Sequence, residues 1–191
     1  MPSTCVLTVG STRFDALVAS SFDSTSLSSL ASLGIQHVLA QVGNSTLPAG
    51  WKEGTRTTQQ GLQVEVVRFL GDLEERAGRT DLVVSHAGAG SILSFLRPLD
   101  SSLPSSQPNA TRRQLVLVPN STLMDSHQSD LADEMEKKGW AVVCRRPEDL
   151  SATLQQLASQ AEQQSEISAP DYPELDKGRM QRIIDETLGY I

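Results

Sequence analysis

One stretch constrains the fold more than any other: Asp81-Leu82-Val83-Val84-Ser85-His86-Ala87-Gly88-Ala89-Gly90-Ser91-Ile92-Leu93. Leu82, Val83 and Val84 form a short apolar run without alternation, the pattern of a parallel strand covered on both faces. His86, Ala87, Gly88, Ala89, Gly90 and Ser91 follow as a small-residue turn, where glycine lets the backbone bend sharply and approach a ligand. A helix begins at Ser91, with Ile92, Leu93 and Leu96 as its apolar face. Its unpaired N–H groups and partial positive charge suit a phosphate. A tight turn without a ligand fits the same spacing. The histidine just before the glycines favours the ligand.

The same unit recurs along the chain. Cys5 to Val9 reads as a strand, closed by the turn Gly10-Ser11-Thr12. Asp23 or Ser24 caps a helix carrying Leu27, Leu30 and Ala31, and Gly34 ends it. His37 to Val42 is a second strand, and residues 44–61 read as a polar loop in which Trp51 is exposed or packs on a neighbour. Leu62 to Phe69 is a third strand, nearer an edge because Gln63, Glu65 and Arg68 interrupt it. Leu70-Gly71-Asp72 leads into a short helix, Leu73 to Ala77. After the central unit, residues 99–112 are rich in Ser, Pro and Asn, a surface loop. Gln114 to Val118 is a fifth strand. A loop follows, and Asp125 or Ser126 caps a helix with His127 and Gln128 in its first turn and Leu131, Ala132 and Met135 behind them. Trp140 to Cys144 is a sixth strand. Pro147 opens a helix with Leu150, Leu154, Leu157 and Ala161 on one face. Residues 165–173 lie in a polar linker, and a last amphipathic helix begins near Glu174.

Strands alternate with helices six times, which predicts an α/β fold with a parallel sheet and helices on both faces. At 191 residues the chain is one domain of ordinary size. Ligands of such sheets collect outside the carboxyl ends of the strands. The candidate groups all fall there: Gly10, Ser11 and Thr12; Phe69 and Leu70; His86 to Ser91; Asn120, His127 and Gln128.

The formal net charge of -7 excludes a nucleic-acid footprint and direct docking on an anionic membrane. No apolar run approaches the ~20 residues of a membrane span, and no signal peptide is visible. The two cysteines, Cys5 and Cys144, lie in apolar runs and read as buried thiols of a reducing compartment. There is no zinc-ligand spacing and no Asp-x-Asp pair, so no bound metal is predicted. A dinucleotide fingerprint, a Walker loop and a Gly-x-Ser-x-Gly elbow are all absent, which disfavours NAD enzymes, P-loop enzymes and serine hydrolases.

Val9-Gly10-Ser11-Thr12-Arg13-Phe14-Asp15, Asp81 to Ser91, Leu123-Met124-Asp125-Ser126-His127-Gln128 and the terminal helix together carry a resemblance. The chain resembles the small catalytic subunits of the dolichol-pathway UDP-N-acetylglucosamine transferase. It is also similar to the C-terminal half of the bacterial lipid-linked N-acetylglucosaminyltransferase of peptidoglycan synthesis. The resemblance implies a Rossmann-like domain over residues 1–164, the donor-binding half of a GT-B glycosyltransferase. The implied reaction is inverting transfer of N-acetylglucosamine from UDP-N-acetylglucosamine to N-acetylglucosaminyl-diphosphodolichol, the second step of lipid-linked oligosaccharide assembly for protein N-glycosylation. No cofactor is required beyond the donor substrate.

The resemblance also assigns residues. The Gly10-Ser11-Thr12 turn and the turn from His86 through Ala87, Gly88, Ala89 and Gly90 to Ser91 would face the diphosphate. Backbone at Phe69 and Leu70 would hold the uracil, and Asn120, His127 and Gln128 would reach sugar hydroxyls. Ser94 stands where related transferases carry an acidic residue for the ribose diol, so one hydroxyl replaces a carboxylate. His86 is the candidate general base, or else an oriented phosphate contact, with the base then coming from a second subunit. A complete two-domain enzyme needs about twice this length. The implied partner is therefore a membrane-anchored, acceptor-binding subunit forming a heterodimer and reaching the lipid diphosphate. It would hold this cytoplasmic chain peripherally on the cytosolic face of the endoplasmic reticulum. The terminal helix, 174–191, packs on its own domain or docks that partner through Leu175, Met180, Ile183, Ile184, Leu188, Tyr190 and Ile191. The alternative is a non-catalytic or regulatory nucleotide-sugar-binding subunit on the same fold.

Overall fold

The computed structural model describes residues 3–96, 113–120 and 127–163. The predicted loop at 99–112, the Asp125 or Ser126 cap, the linker and the terminal helix with its docking residues lie outside the described residues.

The first crossover runs from β1 (Ser3–Thr8) through α1 (Asp15–Ser21) and α2 (Ser24–Ser32) to β2 (Ile35–Gln41). Asp23 caps α2 by accepting from the Thr25 N–H at 2.9 Å, an arrangement worth about 1 kcal/mol. The chain continues through β3 (Gly54–Thr57), β4 (Gln63–Val67), α3 (Leu73–Arg79), β5 (Leu82–Ser85) and α4 (Ala89–Leu96). Then come β6 (Gln114–Leu117), α5 (His127–Lys137), β7 (Val142–Val143), a 3-10 turn at Pro147–Asp149 and α6 (Leu150–Gln163).

The strands form one seven-stranded sheet in the order β3-β4-β2-β1-β5-β6-β7. Every pairing is parallel except β3 with β4. Alternate residues of each inner strand feed opposite cores. Cys5, Leu7, Leu82, Val84 and Val116 pack with Leu17, Leu27, Leu30, Leu150, Leu154 and Leu157 of α1, α2 and α6. Val6, Val83, Leu115 and Leu117 pack with Ala77, Ile92, Phe95, Ala132 and Met135 of α3, α4 and α5. A strand buried on both faces has no polar side to show, which is why β5 reads as an unbroken apolar run.

Several expectations need correction. The segment 44–61 is not all loop. It contains β3, an antiparallel edge strand whose four residues are all exposed, so no apolar alternation marks it. Trp51 packs on a neighbour, as one of its two readings had it: its ring lies 4.2 Å from that of Phe22, and the Arg56 guanidinium stands 4.4 Å from the Trp51 ring centre. A helix, α1, lies between the Gly10 turn and Asp23, where none was predicted. Helix α4 starts at Ala89 rather than Ser91. The last strand is two residues, Val142–Val143, not five; Trp140 and Ala141 pack beside the second core without pairing. Both cysteines are buried as predicted, and burial pushes the Cys5 thiol up to about 12.

Candidate functional site

The carboxyl ends of β4, β2, β1, β5 and β6 lie side by side, so their turns form one crest. The turn after β1 and the turn after β5 open onto the same side and meet on one imidazole. His86 is 6% exposed, and its backbone N–H donates to the Thr8 carbonyl at 3.3 Å. A Cβ added to Gly10 would stand 2.8 Å from the His86 ring, and one added to Gly88 would stand 2.5 Å from its Nε2. The ring thus packs closely against both glycines, and hydrogen at each position leaves room for it. Its Nδ1 stands 3.4 Å from the Thr8 carbonyl oxygen. A carbonyl can only accept, so this contact suits the tautomer with Nδ1 protonated and Nε2 bare.

Burial holds the His86 pKa below its ordinary value of 6.5, against a weaker upward pull from the Thr8 carbonyl. The unfolded chain therefore takes up a proton at residue 86 near pH 6.5 that the folded chain refuses until lower pH. Stability should fall as pH drops through about 6.5 toward the folded pKa. Denaturation midpoints between pH 7.5 and 5.5 check this: the wild-type midpoint should decline over that range, and His86→Gln should flatten the slope.

The Gly10 turn is clasped from beneath. Gly10 has φ +61, a left-handed conformation natural to glycine. Its N–H donates to Thr8 Oγ1 at 3.0 Å, and its carbonyl accepts from Gln41 Nε2 at 2.8 Å. Thr8 Oγ1 in turn donates to Gln41 Oε1 at 2.5 Å, and Gln41 Nε2 also donates to the Arg68 carbonyl at 2.7 Å. Gln41 is 1% exposed, yet its amide joins the ends of β1, β2 and β4. Gly43 completes the packing. At φ +51, its missing Cβ would stand 2.7 Å from the Gly10 oxygen and 2.8 Å from the Thr12 oxygen. Arg68 reaches the Gly43 carbonyl at 3.2 Å and pairs with Glu53 at 3.1 Å. Thr12 Oγ1 donates to the Val9 carbonyl at 2.6 Å, whereas Ser11 is exposed. Asp15 accepts from the Thr46 N–H at 2.8 Å, and its hydrogen-bonded pairing with Arg13 holds its carboxyl below the usual range. Sequence reasoning missed Thr8, Gln41, Gly43 and Arg68. The one signal that could have found Gln41 is a polar residue placed directly after the apolar run Val38-Leu39-Ala40.

Of the remaining candidates, Phe69 is 59% exposed at the end of β4, with Leu70 half-buried beside it. Ala87 adopts φ +63 without being glycine, a backbone strain that gathers at functional sites. Ala89, Gly90 and Ser91 form the first turn of α4, the first two exposed and Ser91 half-buried. Ser94 is buried, and its hydroxyl donates back to the Gly90 carbonyl at 2.8 Å. Asn120 is buried beneath the crest, and its Nδ2 donates to the Arg13 carbonyl at 3.3 Å, which ties the end of β6 to the β1 turn. Gln128 Oε1 accepts from the Asn120 N–H at 3.0 Å, and His127 is exposed at the start of α5. Among the described residues no group of three His, Cys, Asp or Glu is placed to hold a metal, and no helix is long and apolar enough to cross a membrane.

Comparison with known proteins points the same way. Residues 4–98 match the Glycosyltransferase family 28 C-terminal domain. The UDP-N-acetylglucosamine transferase subunit ALG13 of Cryptococcus neoformans is 34% identical over 99% of this chain and 98% of its own length. ALG13 of Mus musculus is 37% identical over 72% of this chain, which spans 10% of that longer protein. The NMR solution structure of ALG13 superposes with a TM-score of 0.58 at 22% identity, covering 98% of this chain and 96% of that one. MurG of Acinetobacter baumannii superposes with a TM-score of 0.52 at 19% identity, over 99% of this chain and 50% of that one. The sheet is thus the Rossmann-like C-terminal half of a GT-B transferase, and the chain belongs to the ALG13 family of UDP-N-acetylglucosamine transferase subunits.

Proposed function

We propose that the crest holds UDP-N-acetylglucosamine and that the chain transfers its sugar, with inversion, to N-acetylglucosaminyl-diphosphodolichol. The observation that carries this reading is the closure of the β1 and β5 turns on the single imidazole of His86, beside the first turn of α4. The diphosphate lies against Ser11, Thr12 and the N–H groups of residues 88–91. There the helix start stabilises the charge that grows as UDP leaves. Uracil meets the backbone at Phe69 and Leu70. Asn120, His127 and Gln128 face the sugar, and only the lone pairs of Ser94 remain for a ribose hydroxyl. The bond from the anomeric carbon to the diphosphate breaks, UDP keeps the electron pair, and the acceptor oxygen bonds to the opposite face of that carbon. The acceptor proton passes to a base, either the bare Nε2 of His86 or a group of a second subunit.

That second subunit is membrane-anchored and brings the lipid diphosphate, and it holds this chain at the cytosolic face of the endoplasmic reticulum. The relatives that this chain matches are named as transferase subunits. That naming supports a partner. Leu175, Met180, Ile183, Ile184, Leu188, Tyr190 and Ile191 are its docking residues. Calorimetric titration with UDP-N-acetylglucosamine, UDP and NAD tests the donor: the first two should bind and NAD should not. Transfer to the lipid acceptor in the presence of the partner then separates an enzyme from a regulatory subunit. Removing residues 174–191 should abolish co-purification with the partner while UDP binding persists. Normal association of the shortened chain would place docking elsewhere.

A further inference from the structure

Gln41 lies beneath the crest and touches no solvent, yet it determines where two surface N–H groups point. A trans peptide directs its carbonyl and its N–H to opposite sides, and the described backbone contains no cis bond. Drawing the Gly10 carbonyl inward to Gln41 Nε2 at 2.8 Å therefore turns the Ser11 N–H outward. Drawing the Arg68 carbonyl inward at 2.7 Å does the same for the Phe69 N–H. Both outward-facing residues are exposed, Phe69 by 59%. One buried amide thus aims two donors on neighbouring turns.

We propose that Gln41 is the positioning residue for a nucleoside diphosphate, with the Ser11 N–H aimed at a phosphate oxygen and the Phe69 N–H at a carbonyl of the base. This inference rests on the donor-site reading given under Proposed function. The two ends are not held equally. The Arg68 carbonyl also accepts from the Gly43 N–H at 3.0 Å. Among the described residues, Gln41 is the donor to the Gly10 carbonyl. Losing the amide releases the phosphate end and leaves the base end tied.

The unequal anchoring sets the test. Gln41→Met keeps the length and lack of branching of the side chain but removes both donated bonds. NMR titrations of the full chain with UDP and with uridine compare the two ends. Gln41→Met should weaken UDP about ten- to a hundredfold, the scale of a bond to a charged group. Uridine affinity should change less than about twofold, and the Ser11 amide resonance should shift more than that of Phe69. Leu154→Ala, in the core on the far side of the sheet, is the destabilised control and should leave both affinities unchanged. If Gln41→Met does not fold, near-isosteric Thr8→Val removes the hydroxyl beneath the same turn and should show the same bias toward UDP. Equal losses for UDP and uridine, or no loss of UDP affinity, would overturn the positioning role while the donor site stands. Failure of the wild-type chain to bind either UDP or UDP-N-acetylglucosamine would overturn the donor site and this inference together.

Discussion

Gly43→Ala should lower the stability of the chain by about 3 kcal/mol or more, combining left-handed strain with a backbone clash. Gly43 sits at φ +51, where an L side chain is disfavoured by about 1–2 kcal/mol. The added carbon would also stand 2.7 Å from the Gly10 oxygen and 2.8 Å from the Thr12 oxygen. Those atoms are backbone, held by Gln41 and by the turn itself, and no rotamer change relieves the contact. Domains of this kind are stable by only about 5–15 kcal/mol, so the loss is a large share. Urea unfolding should show a much lower midpoint at an unchanged slope. The surviving folded chain should bind UDP poorly, because relief of the clash requires the Gly10 turn to move. An unfolding free energy within about 0.5 kcal/mol of wild type would mean that the two turns are not packed as described.

Gly88→Ala should act differently, with a moderate effect on the fold and a severe one on transfer. Its added carbon would meet His86 Nε2 at 2.5 Å and Cε1 at 2.6 Å. The imidazole is 6% exposed and also lies close to Gly10, where a Cβ would come within 2.8 Å, so it has little space to move into. Overpacking of this kind costs about 1–3 kcal/mol. Transfer should fall by about a hundredfold, because misplacement on the order of 1 Å at a reacting centre has that effect. The double variant Gly88→Ala, His86→Ala removes the clash, so its stability should exceed the sum of the two single effects. Additive stabilities would show that the two residues do not touch. Activity assays with the partner and the lipid acceptor measure the transfer loss, and thermal melts measure the stability.

The same residues explain what the sequence could and could not disclose. The β5 to α4 unit was legible because Leu82, Val83 and Val84 are buried on both faces and glycine punctuates the turn beyond them. Asp23 was legible as a cap for its side-chain chemistry. In β3 the residues Gly54, Thr55, Arg56 and Thr57 contact no core and obey no period, so pairing with β4 alone makes them a strand. In α1, Leu17 and Val18 are buried but the seven-residue helix has no side-chain cap bond and no long period. The positions of Gly10 and His86 on one crest came from sheet topology, since ligand turns sit at carboxyl ends. The role of Gln41 was hidden, because its three amide hydrogen bonds reach residues far off in sequence.

The central place of β1 bears on how the chain assembles during synthesis. The segment Ser3–Thr8 pairs on one side with Ile35–Gln41 and on the other with Leu82–Ser85. Its first neighbour emerges from the ribosome early, whereas the second arrives only after the edge hairpin and α3 have been made. Until then an apolar ribbon has one naked side, a template for pairing with a stranger. Completion of β5 therefore covers the exposed side of β1, and a translational pause before that point should raise the need of the nascent polypeptide for chaperones.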